Sequence, residues 1–249
     1  MSFGILTDIT RCIGCGGCAV VCKQTNGLPG EIGKRLDAYT WTIVESRKNL
    51  FVRRQCMHCL EPTCQSVCPV GAFRRTKYGA VWYDSEKCIG CRYCVMACPF
   101  DIPKYQWDSP VPIVGKCIMC AEKRLKHGKQ PACTEVCPAS ATVFGNRDAL
   151  IKEAHRRIET NPDRYVNYLY GENEAGGTSV MYLSPMRFSE LGFKADLLNG
   201  SYPDLTWEII EQVPKVVGIG AIGLSGIMWV INRRIEMKNR RLAEEGDKK

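Results

Sequence analysis

Apolar and polar positions follow a regular period in only a few short stretches. Phe3 to Leu6 and Ala80 to Tyr83 read as strands, each ending just before a cysteine-rich loop, and Tyr78-Gly79 marks a turn ahead of the second. Gly176 to Leu183 reads as a strand entered from a glycine turn. Asp148 to Glu159 carries apolar residues at helical spacing, with Asn146 or Asp148 available as a cap. Short helices are expected to begin within the last two cysteines of each cysteine run. Residues 184–203 show neither period and read as an irregular linker. From Asp204 a long helix is expected through Trp207 into an apolar run. Val216 to Ile231 holds 16 residues without a charge, and starting at Val213 gives 19 with one lysine, Lys215. A membrane span needs about 20 residues, with a lower limit of about 17.

Composition changes this picture at one residue type. The chain has 249 residues, 45% apolar and 24% charged, which suffices for a core and excludes general disorder. Its 16 cysteines all lie between Cys12 and Cys137. A disulfide-stapled secreted domain is usually far shorter and does not bunch its cysteines two or three residues apart. The formal charge of +8 suggests an acidic partner such as nucleic acid. Sixteen thiolates around four cluster cores of roughly +2 each bring that sum close to zero, so no nucleic-acid partner is expected.

The cysteines form four quartets. Cys12, Cys15, Cys18 and Cys22 are spaced C-x2-C-x2-C-x3-C, and Cys88, Cys91, Cys94 and Cys98 repeat that spacing. Cys56, Cys59, Cys64 and Cys68 are spaced C-x2-C-x4-C-x3-C, and Cys117, Cys120, Cys133 and Cys137 C-x2-C-x12-C-x3-C. Cys12-Ile13-Gly14-Cys15 recurs 76 residues on as Cys88-Ile89-Gly90-Cys91, each copy following a basic residue (Arg11, Lys87) and an aspartate four before the cysteine (Asp8, Asp84). Pro62 to Pro69 likewise resembles Pro131 to Pro138. The chain reads as two intercalated copies of a two-cluster module. C-x2-C-x2-C sets three thiolates around a tight loop that can wrap three corners of an iron–sulfur cubane, and in two-cluster ferredoxins the fourth cysteine serves the other cluster. Pro69, Pro99 and Pro138 close three of the quartets, whereas Lys23 follows Cys22. Zinc is the alternative, since it binds four-cysteine sets made of C-x2-C pairs, but it has no use for a third cysteine two residues on. Four cysteines per quartet leave no iron open for a substrate, which favours electron transfer over catalysis.

Other candidates carry less. His58, between Cys56 and Cys59, is expected to pack rather than ligate, and His127 and His155 to lie at the surface. Arg53-Arg54 and Arg74-Arg75 read as a solvated basic face; the alternative is that they meet acidic patches on a partner or raise a nearby cluster potential. Gly218-x-Gly220-x-x-Gly223 matches a dinucleotide fingerprint only formally, since no strand precedes it. Small residues on an apolar helix suit close helix packing. Met1 to Asp8 lacks a basic region, an apolar run and twin arginines, so no signal peptide is expected. Arg233, Arg234, Lys238, Arg240 and Arg241 follow the apolar run, which by the positive-inside rule sets the tail in the cytoplasm and the cluster domain on the periplasmic side of the inner membrane. Export as the passenger of a signal-bearing partner reconciles the two; the alternatives are a buried hydrophobic helix and a helix inserted the other way.

Cys56-Met57-His58-Cys59 through Cys68-Pro69-Val70, then Cys88 to Cys94, Cys98-Pro99-Phe100 and Ile102-Pro103-Lys104-Tyr105, together resemble the four-cluster iron–sulfur subunit of quinone-linked respiratory enzymes. The likeness is to the iron–sulfur subunit of membrane-bound nickel–iron hydrogenases and to the beta subunit of membrane formate dehydrogenase, a molybdopterin enzyme. Tyr170-Gly171-Glu172, Gly176-Gly177-Thr178 and a C-terminal membrane helix are similar too. The resemblance implies four [4Fe–4S] clusters. One is held by Cys12, Cys15, Cys18 and Cys137, and its neighbour by Cys117, Cys120, Cys133 and Cys22. The second pair uses Cys56, Cys59, Cys64 and Cys98, then Cys88, Cys91, Cys94 and Cys68. The first pair would face a catalytic subunit and the second a membrane partner. Cys91 is present where some relatives lose a ligand, so four cubanes are expected.

The resulting expectation is an α+β protein: a double two-cluster, bacterial ferredoxin-like domain over 1–155, a covering extension and linker over 156–206, and a single transmembrane helix with a basic tail over 207–249. It relays single electrons between a catalytic subunit of hydrogenase or molybdopterin type and an integral, quinone-reactive membrane subunit, itself anchored in membrane lipid, and transforms no substrate. The alternative is a free-standing, membrane-tethered polyferredoxin.

Overall fold

Asp8 ends the first strand by folding its carboxylate back onto the chain, accepting from the Thr10 backbone N–H at 3.0 Å and the Thr10 hydroxyl at 2.7 Å. That strand, β1 (Phe3–Asp8), therefore stops just short of the first cysteine loop. Helix α1 (Gly17–Asn26) starts inside that loop. Strands β2 (Ile43–Arg47) and β3 (Leu50–Arg54) form a hairpin whose turn residues Lys48 and Asn49 both have positive φ, 51° and 61°. That is the two-residue turn whose twist matches paired strands. Then follow α2 (Thr63–Ser66), β4 (Phe73–Arg75), β5 (Val81–Tyr83), α3 (Tyr93–Ala97), β6 (Lys104–Tyr105), β7 (Val114–Gly115), α4 (Ala132–Glu135), β8 (Thr142–Asn146), α5 (Arg147–Thr160) and β9 (Val180–Leu183). The last helices are α6 (Asp204–Ile210) and α7 (Val213–Gly246). This is a computed structural model, and it describes residues 2–246. Met1 and 247–249, included in the expected segments 1–155 and 207–249, lie outside the described residues, as do the side chains of Arg240 and Arg241 of the expected tail.

The chain divides into two units at Pro203/Asp204. In the first, β1 is the middle strand of a three-stranded sheet, antiparallel to β8 and parallel to β9. Helix α5 packs Leu150, Ala154 and Ile158 against Leu6, Met181 and Leu183 on one face of this sheet. Asn146 caps α5, its side chain accepting from the Ala149 N–H at 3.1 Å. Asn146→Ala is expected to cost about 1 kcal/mol, read from the denaturation midpoint of the loaded protein. The opposite face belongs to the core that holds Ile5, Met57, Met119, Cys133 and Tyr182. Segment 184–203 is irregular but not a loose linker: Phe188 and Phe193 stack edge-on with each other and pack with Tyr170 and Tyr182, closing that core. The loop 57–60 is laced to the start of β9 by Val180 N–H to Met57 O at 3.0 Å, Ser179 N–H to His58 O at 2.9 Å and Leu60 N–H to Gly177 O at 2.9 Å.

In the second unit the expected single helix is two. Pro214 has no N–H, and its ring would collide with the carbonyl of Ile210 in a continuous helix, so the chain breaks between Ile210 and Val213. Val213–Asn239 is long and apolar enough to cross a membrane. Beside Gly218, Gly220, Gly223 and Gly226 the helix surface is open.

Candidate metal centres

Each cysteine pair C-x2-C is folded by the same turn. The residue two beyond the first cysteine has positive φ in all four quartets: Gly14 (72°), His58 (52°), Gly90 (70°) and Met119 (53°). In this conformation its backbone N–H turns toward the first thiol, at 3.4 Å for Gly90 to Cys88 and for Met119 to Cys117. Glycine adopts it without strain, and His58 and Met119 adopt it against the usual preference. A second turn recurs after each Cys-Pro. The N–H groups of Gly71, Asp101 and Ser140 bond back to the carbonyls of Cys68, Cys98 and Cys137 at 3.3, 3.2 and 3.2 Å. The next residue then donates to the thiol, at 3.2 Å for Ala72 to Cys68 and 3.3 Å for Ala141 to Cys137. The Ile102 N–H does the same for Cys98.

Cys22, followed by lysine, cannot make this turn. Without a proline the helix α1 runs on to Asn26, and Lys23 buries its ammonium against the carbonyls of Pro29 and Tyr39 at 2.7 and 3.0 Å. Asn26, four residues beyond Cys22, supplies the missing donor from its side chain. Its Nδ2 lies 2.9 Å from Cys22 O and 3.7 Å from Cys22 Sγ. The departure at Lys23 is thus answered one helical turn later.

The fold draws thiols from distant positions together. Cys12, Cys15, Cys18 and Cys137 line one cavity. Cys56, Cys59, Cys64 and Cys98 line a second, and Cys68, Cys88, Cys91 and Cys94 a third. Cys22 faces Cys133 and Cys120, and Cys117 faces Cys22 and Cys133, so these four make a further group. The groups come in succession. Cys18 of the first faces Cys133, Cys117 faces Cys56, and Cys64 faces Cys94. Along that line Cys22, Cys117, Cys120 and Cys133 are all buried, while Cys15 at one end is exposed. Apolar side chains rim both ends in solvent: Ile13, Val20 and Val136 at the first, Ile89, Tyr93 and Met96 at the last.

The donor chemistry fits iron–sulfur clusters. Among the described residues no three His, Cys, Asp or Glu side chains converge as a single ion demands. The sulfurs instead stand around cavities, with backbone N–H groups aimed at them. Burial pushes Cys22 up to about 12, helped by Cys133 and Cys120. It pushes Cys64 and Cys94 to about 12 and Cys98 to about 11. Thiols so disposed ionise only by binding a cationic core, which would release their protons.

His58 is fully buried, with Nδ1 accepting from the Val81 N–H at 2.9 Å. Burial, then Lys116, Arg53 and Arg75, hold it well below the usual histidine range, so it is neutral. His127 is exposed, and His155 is half-buried and pairs with Glu172 at 3.0 Å. The expected solvated basic face holds for Arg74, exposed and stacked over Trp82. It fails for Arg53, which is buried. β3 is covered on both faces here, Val52 and Arg53 both being buried, and Arg53 donates to Thr42 and Thr142. Arg54 lies over the Phe193 ring at 4.1 Å and donates to the Leu191 carbonyl.

Sulfur-lined cavities in a small α+β fold define an iron–sulfur protein of the 4Fe-4S type. A 4Fe-4S dicluster domain model matches residues 47–147. A protein of Nitratidesulfovibrio vulgaris is 42% identical, covering 98% of this chain and 70% of its own. Hydrogenase-2 operon protein HybA of Escherichia coli O157:H7 is 36% identical over 76% of this chain and 72% of its own. The formate dehydrogenase iron–sulfur subunit of Haemophilus influenzae is 32% identical over 89% and 78%. The chain belongs to this family of iron–sulfur electron-transfer subunits of hydrogenase and formate dehydrogenase complexes.

Proposed function

We propose that the chain carries four [4Fe–4S] clusters in line and relays electrons between a catalytic subunit, of hydrogenase or molybdopterin type, and a quinone-reactive subunit in the membrane. The ligand sets are Cys12, Cys15, Cys18 and Cys137; Cys22, Cys117, Cys120 and Cys133; Cys56, Cys59, Cys64 and Cys98; and Cys68, Cys88, Cys91 and Cys94. Each bound cluster accepts and releases one electron. The observation that carries the reading is the succession of four cysteine groups, with Cys15 exposed in the first, Cys68, Cys88 and Cys91 half-buried in the last, and Cys22, Cys117, Cys120 and Cys133 all buried between them. A buried middle keeps charge from leaking to solvent, and the apolar rims of the ends suit docking of a partner at each. The first group serves the catalytic subunit and the last the membrane subunit. Residues 1–155 form the relay, 156–206 its cover, and 207–249 an anchor with its tail in the cytoplasm and the clusters periplasmic.

Anaerobic purification from membranes tests this. A stable complex with a large cofactor-bearing subunit and an integral membrane subunit, reducing a quinone when supplied with hydrogen or formate, is the expected result. A chain that purifies alone and exchanges electrons freely with several enzymes would instead be a tethered carrier. The chain itself should contain about 16 iron and about 16 labile sulfide, from four cubanes. Stoichiometric zinc with little sulfide would end the cluster reading. Asn26→Leu should lower the potential of the cluster at Cys22 and leave the other three in place, because a hydrogen bond to a ligand sulfur favours the reduced cluster. Redox titration followed by electron paramagnetic resonance reads the shift.

A further inference from the structure

We infer that Arg53 and Lys116 are the built-in counter-cations of the relay, one for each pair of cysteine groups, and that they hold the reduction potentials of the adjoining clusters up. The inference rests on the ligand sets proposed above.

Both side chains are taken out of water, each residue being 2% exposed. Burial of a cation is costly unless an anion compensates it. Yet every hydrogen bond found for the two goes to a neutral oxygen. Arg53 donates from Nε to Thr42 Oγ1 at 3.2 Å and from Nη1 to Thr142 Oγ1 at 3.0 Å. Its Nη2 donates to Gln55 Oε1. Lys116 Nζ donates to the carbonyls of Val81 at 2.5 Å and Cys117 at 2.9 Å, and it lies 5.7 Å from the centre of the Phe73 ring. Among the described residues neither has a carboxylate partner.

What each cation does face is sulfur: Arg53 faces that of two groups, and Lys116 that of one, with the Phe73 ring between it and the next. Arg53 lines the cavity of Cys12, Cys15, Cys18 and Cys137. It also faces Cys133 and Cys117 of the neighbouring group, and Cys18 of the first. Lys116 lines the cavity of Cys56, Cys59, Cys64 and Cys98. The Phe73 ring beside it walls the cavity of Cys68, Cys88, Cys91 and Cys94. A cubane with four thiolates carries a charge of roughly −2, and reduction makes it more negative. Two such clusters supply the anion that each cation otherwise lacks. A positive charge fixed in a medium of low dielectric favours the reduced cluster.

The native complex, purified anaerobically, provides the test. Redox titration with electron paramagnetic resonance is run on wild type, Arg53→Gln, Arg53→Lys, Lys116→Met and Lys116→Arg, with iron and sulfide counted in each. The neutral variants should weaken reduction of the adjoining pair by about tenfold or more, a downward shift of about 59 mV for a one-electron couple. Arg53→Gln should act on the first pair and Lys116→Met on the second. The charge-retaining variants should stay within about threefold of wild type, a smaller shift than tenfold on the same scale. A neutral variant with its full iron whose potentials do not move overturns the inference, as does an equal shift in the charge-retaining partner. If the neutral variants fail to hold iron, loading decides. Clusters in Arg53→Lys and Lys116→Arg but not in the neutral forms support a counter-charge, and equal loss in both overturns it. Wild type with far fewer than about 16 iron would sink the ligand sets themselves, before any variant is made.

Discussion

Replacing Cys22 with serine is expected to abolish the cluster of Cys117, Cys120 and Cys133 and to spare the one beside Cys12, Cys15 and Cys18. The reason lies in helix geometry. Cys18 and Cys22 are four residues apart on α1, so their thiols share one face but stand about 6 Å apart along the axis. Cys18 meets Cys12, Cys15 and Cys133, whereas Cys22, a turn further, meets Cys133 and Cys120. The same C-x3-C step recurs at Cys64 and Cys68, Cys94 and Cys98, and Cys133 and Cys137, each beginning on a short helix. A helix lying between two cavities thus gives one thiol to each. Cys22→Ser should lower the iron count from about 16 to about 12 and remove one reduced-state resonance. Cys18→Ser should remove a different one. Loss of the same resonance in both variants would mean self-contained quartets.

Ending the chain after Pro203 should leave a brown protein that holds its iron, binds the catalytic subunit and passes few electrons to quinone. All 16 cysteines precede Ala139, and the first unit closes its own core with Phe188, Leu191 and Phe193. The candidate span Val213–Asn239 is about 40 Å long as a helix; its charge-free run Val216 to Ile231 covers about 24 Å of the roughly 30 Å of a bilayer core, and Lys215, Arg233 and Arg234 flank it. Its glycines leave an open surface that suits close packing against another membrane helix. Removing a tethered contact lowers the effective concentration of the partners, so quinone-linked turnover should fall by about 100-fold. Turnover with a soluble electron acceptor should be nearly unchanged. A phosphatase fused after Lys249 should be inactive, because the proposed topology keeps the tail inside. Undiminished quinone reduction by the shortened chain would take the helix out of the mechanism.

The features legible in the sequence depend on neighbours along the chain. The cysteine quartets, the strand before Cys12 and the cap at Asn146 are all local patterns, spanning about one turn of helix or loop. So are the glycines at 14 and 90, which mark a turn that needs positive φ. At His58 and Met119 the same turn forms without a glycine, and nothing in those residues announces it. The hairpin of β2 and β3 escaped notice because Lys48-Asn49 is a weak turn signal and Arg53-Arg54 breaks the apolar alternation.

What the tertiary structure alone decided is where those local pieces meet. Arg53 reads first as part of a solvated basic face, and Lys116 carries no signal in the sequence, until packing buries both beside thiols from distant stretches. Asn26 reads as the end of a helix until its amide is found beside Cys22, in the place that a backbone N–H fills after each Cys-Pro. The sequence determined the donor atoms and the turns that aim them, because backbone sterics act over a few residues. The family resemblance implied the grouping of Cys12 with Cys137, and the sheet of β8, β1 and β9 is what physically brings the two stretches together. That pairing joins segments more than 100 residues apart through many weak apolar contacts, none of them written in any one motif.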